Sequence, residues 1–238
     1  MQKPKIFVHQ FDFDEIASTM DEATKKVDEG FVDGLVVTAR KQTLGRGRNG
    51  KSFSSPKDQG LWVTLGIATN KEDSPFQQIK TFSVAMAALL NQDYEIKAKI
   101  KWPNDIFCKN RKLCGLLAEM HKNNKTLLLG FGLNVNQEDH DWEDSIKDIA
   151  TSLFLQSQKK YELPVVLTDI LLAFEAAKRQ EKLVISAMYE KYSLIWGNYA
   201  KLNGKKVFVK EIAVDGSLVI DKNGVLEIVY AGDLLPII

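Results

Sequence analysis

The 238-residue chain has only two cysteines, Cys108 and Cys114, and no C-x-x-C pair. Two thiols so placed exclude a disulfide framework and point to a reduced, cytoplasmic chain. Its three histidines, His9, His121 and His140, have no metal-ligand spacing with one another or with the cysteines. No apolar run approaches the roughly 20 residues of a membrane span. The N-terminus also lacks the long apolar region of a secretory signal. Neither sign of charge dominates: 32 Lys and Arg stand against 31 Asp and Glu, a formal net charge of +1. Wholesale nucleic-acid binding needs a broad basic surface, so this balance argues against it as the main task. There is no internal repeat and no low-complexity tract. No Ser-His-Asp set can be argued.

What is present is an alternation of strand and helix patterns. Residues 5–16 read as a short strand and turn, with an acidic, solvated turn at Asp12-x-Asp14-Glu15. Residues 19–29 read as a helix, with Thr19-x-x-Glu22 as a capping box and Gly30 in the C-terminal glycine position. Residues 34–40 and 61–68 are apolar and β-branched, as strands are. Ser74-Pro75 opens a second helix as cap and first helical residue. Its stripe of Phe76, Ile79, Phe82, Met86, Leu89 and Leu90 has helical spacing. Strands are expected near 97–102, 113–120 and 126–133, with a hairpin at Asn123-Asn124. Helices are expected over 150–156, 164–179 and 184–196. The last 40 or so residues change in kind, with short strands separated by Asp215-Gly216 and Asn223-Gly224. The reading is an α+β body over residues 1–196, with helices packed on a mixed, mostly antiparallel sheet. A small β-barrel-like module over 197–238 follows it.

Residues 45–52, Gly-Arg-Gly-Arg-Asn-Gly-Lys-Ser, satisfy G-x-x-x-x-G-K-[ST], the phosphate-loop pattern. That pattern works only where a helix leads out, because the helix N-terminus supplies part of the anion site. Here turn chemistry follows, Phe53-Ser-Ser-Pro56, and then a strand. The segment is therefore a glycine-rich basic loop between two strands. Arginine forks and exposed amides suit phosphate or carboxylate all the same.

Three further segments combine glycine or proline with polar groups. They are Lys101-Trp102-Pro103-Asn104-Asp105, Lys112-Leu-Cys114-Gly115-Leu-Leu-Ala-Glu119 and Gly130-Phe-Gly132-Leu-Asn134. Singly, each has a plain structural reading. Ser18 and Thr19 suffice as helix caps, Lys112 as a solvated lysine, Gly130-x-Gly132 as a strand irregularity and Cys114 as a reduced core thiol. Together, and in this order, they resemble the biotin protein ligase family. Its pattern runs Ser-Thr, Gln…Gly-Arg-Gly-Arg-x-Gly, Lys-Trp-Pro-Asn-Asp, Lys-x-x-Gly-Ile-Leu-x-Glu and Gly-x-Gly-x-Asn. The matches span residues 18–136, and the C-terminal strands fit the family's SH3-like barrel. The Ser-Thr motif begins at position 18, which leaves no room for the N-terminal DNA-binding domain of some members.

The resemblance implies formation of biotinyl-5′-adenylate from biotin and ATP, with Mg²⁺. Transfer to a lysine of a biotin carboxyl carrier domain then follows. It places Ser18, Thr19, Met20, Gln42, Gly45, Arg46, Gly47, Arg48, Lys112 and Gly115 around biotin. Arg46, Arg48, Phe53, Asn104, Lys112 and Asn134 fall around the adenylate. Arg48, Lys112 and Asp105 become the catalytic candidates, with Asp105 near the attacking amine. Met20 and Phe53 depart from the family's asparagine and tryptophan at their positions, and Asn49 stands where a basic residue is common. An exposed sheet edge could support a homodimer. Other readings are lipoate or octanoate transfer, a phosphate-loop nucleotidase and a non-catalytic biotin or nucleotide sensor.

Overall fold

A computed structural model describes residues 3–69, 74–213, 215–230, 232 and 234–236, with backbone only at Asn49 and Pro236. The outer ends of the two expected domains, residues 1–2 and 237–238, lie outside the described residues. One sheet contains β1 (His9–Ile16), β2 (Leu35–Gln42), β3 (Gly60–Ala68), β4 (Ala98–Lys101), β5 (Asp105–Cys108), β6 (Arg111–Met120) and β7 (Thr126–Asn134). Their spatial order is β1-β2-β3-β7-β6-β5-β4. β1 and β2 run parallel, and the other pairings among the described residues are antiparallel. This is the mixed, mostly antiparallel sheet that the sequence leads one to expect.

Strand β5 has no counterpart in the sequence reading, because Asp-Ile-Phe-Cys is too short to show a period. It is made by its turn. Lys109 and Asn110 both take positive φ, +46° and +63°, the geometry that closes a two-residue hairpin onto β6.

Helix α1 (Thr19–Asp28) lies on one face of the sheet, where Met20, Ala23 and Val27 pack on Leu35, Val37 and Leu128. Gly30 follows it at φ +106°, as a C-terminal glycine should. The capping box at Thr19 is not formed. Ser18 is the cap, its Oγ accepting from Met20 N at 3.2 Å. Thr19 is already helical, and its backbone N–H and hydroxyl both turn to Gln42.

The opposite face is covered by α2 (Pro75–Gln92), with a short α3 (Leu153–Ser157), α4 (Leu163–Lys178) and α5 (Lys182–Tyr192). Ser74 caps α2 by accepting from Gln77 N. Phe82, Met86 and Leu90 of α2 join Leu65, Phe131 and Phe174 in the main core. Each such side chain contributes about 1.5–3 kcal/mol through burial. Residues 150–152, expected as helix, are extended instead, and Ala150 forms a bridge to Lys112. The expected acidic turn at Asp12–Glu15 is part of β1. Asp14 pairs with Arg40 and Lys57, and Glu15 with Lys41.

The C-terminal sheet contains β8 (Tyr199–Leu202), β9 (Lys205–Ile212), β10 (Leu218–Lys222), β11 (Val225–Val229) and β12 (Leu234–Pro236). Its order is β11-β10-β9-β8-β12, antiparallel throughout. This fits an SH3-like module, although no pairing closes β11 onto β12 among the described residues. Val209, Ile212, Leu218 and Ile220 bury themselves in the same apolar cluster as Phe82. The module therefore shares the main core.

Candidate active site

The basic loop, the β4–β5 turn, the middle of β6 and the end of β7 converge on one cleft of about 1000 Å³. Every candidate residue from the sequence lines it except Gly45. Gly45 sits behind the wall, and a Cβ there would come within 2.8 Å of Ser55 Oγ and also meet the Phe53 carbonyl. Its role is to let the loop base pack closely.

One end of the cleft has a polar floor. Gln42 Oε1 accepts from Thr19 N at 2.8 Å and from Thr19 Oγ1 at 3.1 Å. Gln42 Nε2 donates to Ser55 Oγ at 2.9 Å. Thr64 Oγ1 donates to Thr19 Oγ1 at 2.9 Å. Ser18, Thr19, Ser55 and Thr64 are all buried. Buried hydroxyls and amides held this way present donors and acceptors in fixed directions. Met20 covers the adjoining wall, where a Cβ on Gly130 would meet its sulfur at 3.0 Å. Neither Thr64 nor Ser55 stands out in the sequence. A threonine inside the apolar strand β3 is the faint signal, because a buried hydroxyl needs a partner.

The other end carries charge. Lys112 Nζ and Asp105 Oδ1 are 2.8 Å apart. Arg48 Nη1 donates to Asn104 Oδ1 at 3.2 Å, and Asn104 Nδ2 in turn donates to the Leu116 carbonyl. Arg46 points along the wall to Asp21 at 2.5 Å and Glu119 at 3.7 Å. The loop holds a single 3-10 turn, Arg48–Gly50, and the next element after Ser52 is strand β3, not a helix. The phosphate-loop geometry is thus absent.

Between the two ends lies Phe53. Gly115 and Gly132 are cross-strand partners in β6 and β7, and the Phe53 ring rests over both. It meets Trp62 edge-on, with centroids 5.9 Å apart. Lys112 Nζ sits 5.6 Å from the ring centre. The bare glycines therefore make room for an aromatic, which explains two of the glycine signals physically. Asn134 Nδ2 donates to the Thr151 carbonyl at 3.0 Å, and its Oδ1 accepts from Gln137 at 3.2 Å. Its amide braces the 150–152 segment against β7.

Sequence reasoning did not anticipate that Trp142, Ile146 and Ile149 form a wall, or that Asn203 and Leu234 of the C-terminal module reach the cleft. The Asn203-Gly204 turn, with both residues at positive φ, is the one sequence trace of the latter. Among the described residues, no group of three His, Cys, Asp or Glu side chains could hold a metal ion. Asp105 is the one carboxylate lining the cleft among them. Cys114 is wholly buried, and burial pushes its thiol well above the ordinary range.

The family model described as "Biotin/lipoate A/B protein ligase family" matches residues 13–136, which contain every candidate residue but not the wall of Trp142, Ile146 and Ile149, the Gln137 and Thr151 partners of Asn134, or the C-terminal module. The chain belongs to that family. The bifunctional ligase/repressor BirA of Bacillus subtilis is 31% identical over 245 residues, covering 95% of this chain and 73% of that protein. The biotin–[acetyl-CoA-carboxylase] ligase of Mycobacterium tuberculosis is 28% identical, covering 86% and 79%. The solved biotin protein ligase of Aquifex aeolicus, in complex with biotin and ATP, superposes with a TM-score of 0.82 at 25% identity, covering 96% and 98%. In this family member the cleft departs from the expected motif at Met20, which gives part of the wall a thioether surface in place of an amide.

Proposed function

We propose that the chain is a biotin protein ligase that makes biotinyl-5′-adenylate and passes biotin to one lysine of a biotin carboxyl carrier domain. One observation carries this reading. A single cleft joins a buried network of hydroxyls and an amide at one end to arginine and lysine at the other. Biotin has the matching polarity: a ureido group that must find partners when buried, an apolar body and a carboxylate tail.

The carboxylate oxygen attacks the α-phosphorus of ATP. A P–O bond forms as the bond to pyrophosphate breaks, and pyrophosphate leaves. Two anions must approach, so cationic donors at the site of developing charge lower the barrier. Lys112 and Arg48 are the groups in place, with Arg46 behind them. Among the described residues Asp105 is the one carboxylate lining the cleft, so a Mg²⁺ here would be carried mainly by the nucleotide's phosphates and would supply screening of their charge. In the second step the lysine amine of the carrier attacks the acyl carbon and AMP departs. Asp105 orients that amine and takes up its proton. Thr19, Gln42 and Ser18 face the ureido ring. Phe53 and Asn134 border the nucleotide side, with Asn104 between Arg48 and β6. We assign residues 1–196 to catalysis and 197–238 to a supporting β module, in a cytoplasmic protein.

The test is direct. Purified protein is incubated with MgATP, a carrier domain and either biotin or lipoate, and labelling is read by streptavidin blot or mass. Biotin should appear on one carrier lysine, with release of AMP and pyrophosphate. Labelling by lipoate and not biotin, or adenylate formation without transfer, would overturn the reading.

A further inference from the structure

We infer that the C-terminal module acts on the reaction through one hydrogen bond, which makes Trp102 and the Asp215-Gly216-Ser217 turn positioning elements for Asp105 and Asn104. The inference rests on the ligase reading above. Trp102 is buried, three residues before Asp105, in the β4–β5 turn that lines the cleft. Its indole N–H does not reach its own sheet. It donates to the Gly216 carbonyl at 2.9 Å, across 114 residues of sequence.

The acceptor sits in a hydrogen-bonded turn. Asp215 Oδ1 accepts from Ser217 N at 2.9 Å and from Ser217 Oγ at 2.7 Å. Ala213 N donates to the Ser217 carbonyl, and Gly216 N donates to the Ala213 carbonyl, both at 2.8 Å. Lys80 of α2 donates to the same Ala213 carbonyl at 2.9 Å. Gly216 takes φ +90°, and a Cβ there would press on the Phe76 ring, which itself lies 6.1 Å from the Trp102 ring. The turn, Phe76 and Trp102 thus form one packed unit.

The chain on the cleft side of Trp102 has little freedom. Leu194 N donates to the Ile100 carbonyl at 2.9 Å, fixing β4 from behind. Asp105 is in register with Gly115, and its carboxylate meets Lys112. A buried indole N–H must keep its acceptor or bear a desolvation cost. Any shift of the Gly216 carbonyl therefore moves Trp102, and with it the turn that presents Asn104 and Asp105. Reaction rates are steep in such displacements. The role is positional, since Trp102 contributes no acid, base or charge.

The test uses the full chain. Trp102→Phe keeps a ring and removes the donor, while Ser217→Ala loosens the acceptor turn from outside the cleft. Single-turnover transfer from preformed biotinyl-adenylate to a carrier domain should slow about ten-fold in Trp102→Phe, with the KM for biotin within about two-fold. Ser217→Ala should show the same kcat-against-KM split in smaller degree. The double variant should be no slower than Trp102→Phe within about two-fold, because both act through one contact. Additive losses, equal changes in kcat and KM, or unchanged transfer in folded variants would each overturn the inference. A wild-type chain that makes no biotinyl-adenylate would instead overturn the ligase reading itself.

Discussion

Asp105 and Lys112 face each other across the β5–β6 hairpin, with Oδ1 and Nζ 2.8 Å apart. Both side chains are partly screened from solvent, and the Phe53 ring closes one side. Each group neutralises the other while the cleft awaits anions. In the mechanism proposed above, the lysine turns to the substrates' negative charge, which leaves the carboxylate for the incoming amine. On that proposal the pair serves two successive steps.

Lys112→Ala should lower adenylate formation at least about 100-fold, the scale for losing a charge-stabilising donor at a reaction centre. Pyrophosphate exchange measures it. Asp105→Asn should leave exchange largely in place and slow carrier labelling. Intact exchange in Lys112→Ala would remove Lys112 from the first step.

Arg48→Gly breaks the contact with Asn104 and frees the basic loop from the β4–β5 turn. A loop that cannot close leaves the mixed anhydride open to water and to stray amines. Labelling of bovine albumin, which has no carrier fold, should rise above wild type, and adenylate should dissociate faster. Strict carrier specificity in this variant would contradict loop closure.

Gly132→Ala would put a Cβ within 2.7 Å of Phe53 Cζ. The ring must swing into the cleft or the strand must move, at about 1–3 kcal/mol as overpacking usually costs. Urea denaturation should show this loss. Combining it with Phe53→Leu should recover at least about half, since the three atoms nearest the new Cβ all belong to Phe53.

Lys80 is buried between α2, α5 and the C-terminal turn, and burial lowers its pKa from 10.5 to about 8. Its nitrogen donates to Ser186 Oγ and to the Ala213 carbonyl. The unfolded chain holds this proton up to a higher pH than the folded one. From about pH 8 to 10.5 the unfolded state thus binds more protons, and the group's contribution to stability rises with pH. The slope is at most about 1.4 kcal/mol per pH unit. Stability of wild type minus that of Lys80→Met should therefore increase across this window. A flat difference would show that the lysine is not desolvated.

Cys108 and Cys114 are both buried, and burial raises both thiols. Neither should react with a thiol-specific reagent at pH 8 in the native state, and both should react in urea. Rapid native labelling of Cys114 would mean that the β6 strand opens beside Lys112.

The helices α1 and α2 and the strands β2, β3 and β7 were legible because each carries its own period and boundary signals. Ser74-Pro75 and Gly30 mark ends that depend on local dihedrals alone. The cap on α1 was misplaced by one residue because Ser18 and Thr19 are equally good caps in isolation. Gln42, at the end of β2, recruits Thr19 and leaves the cap to Ser18. Strand β5 has no signal in its own sequence, and the 150–152 segment reads as helix in isolation, because their conformation comes from pairing with β4 and β6 and with Lys112, not from their own side chains.

By itself the sequence determined which chemistry is available: a basic glycine loop, an Asn-Asp turn, a lysine beside a glycine, and the order in which they occur. Those are properties of residue type and spacing, carried by short stretches of chain. Only the tertiary structure decided that Lys112 faces Asp105, that Phe53 fills the space over Gly115 and Gly132, and that Trp102 hangs from the C-terminal turn. Contacts between residues many positions apart form only when the sheet and the shared core bring their backbones together. No local propensity encodes them.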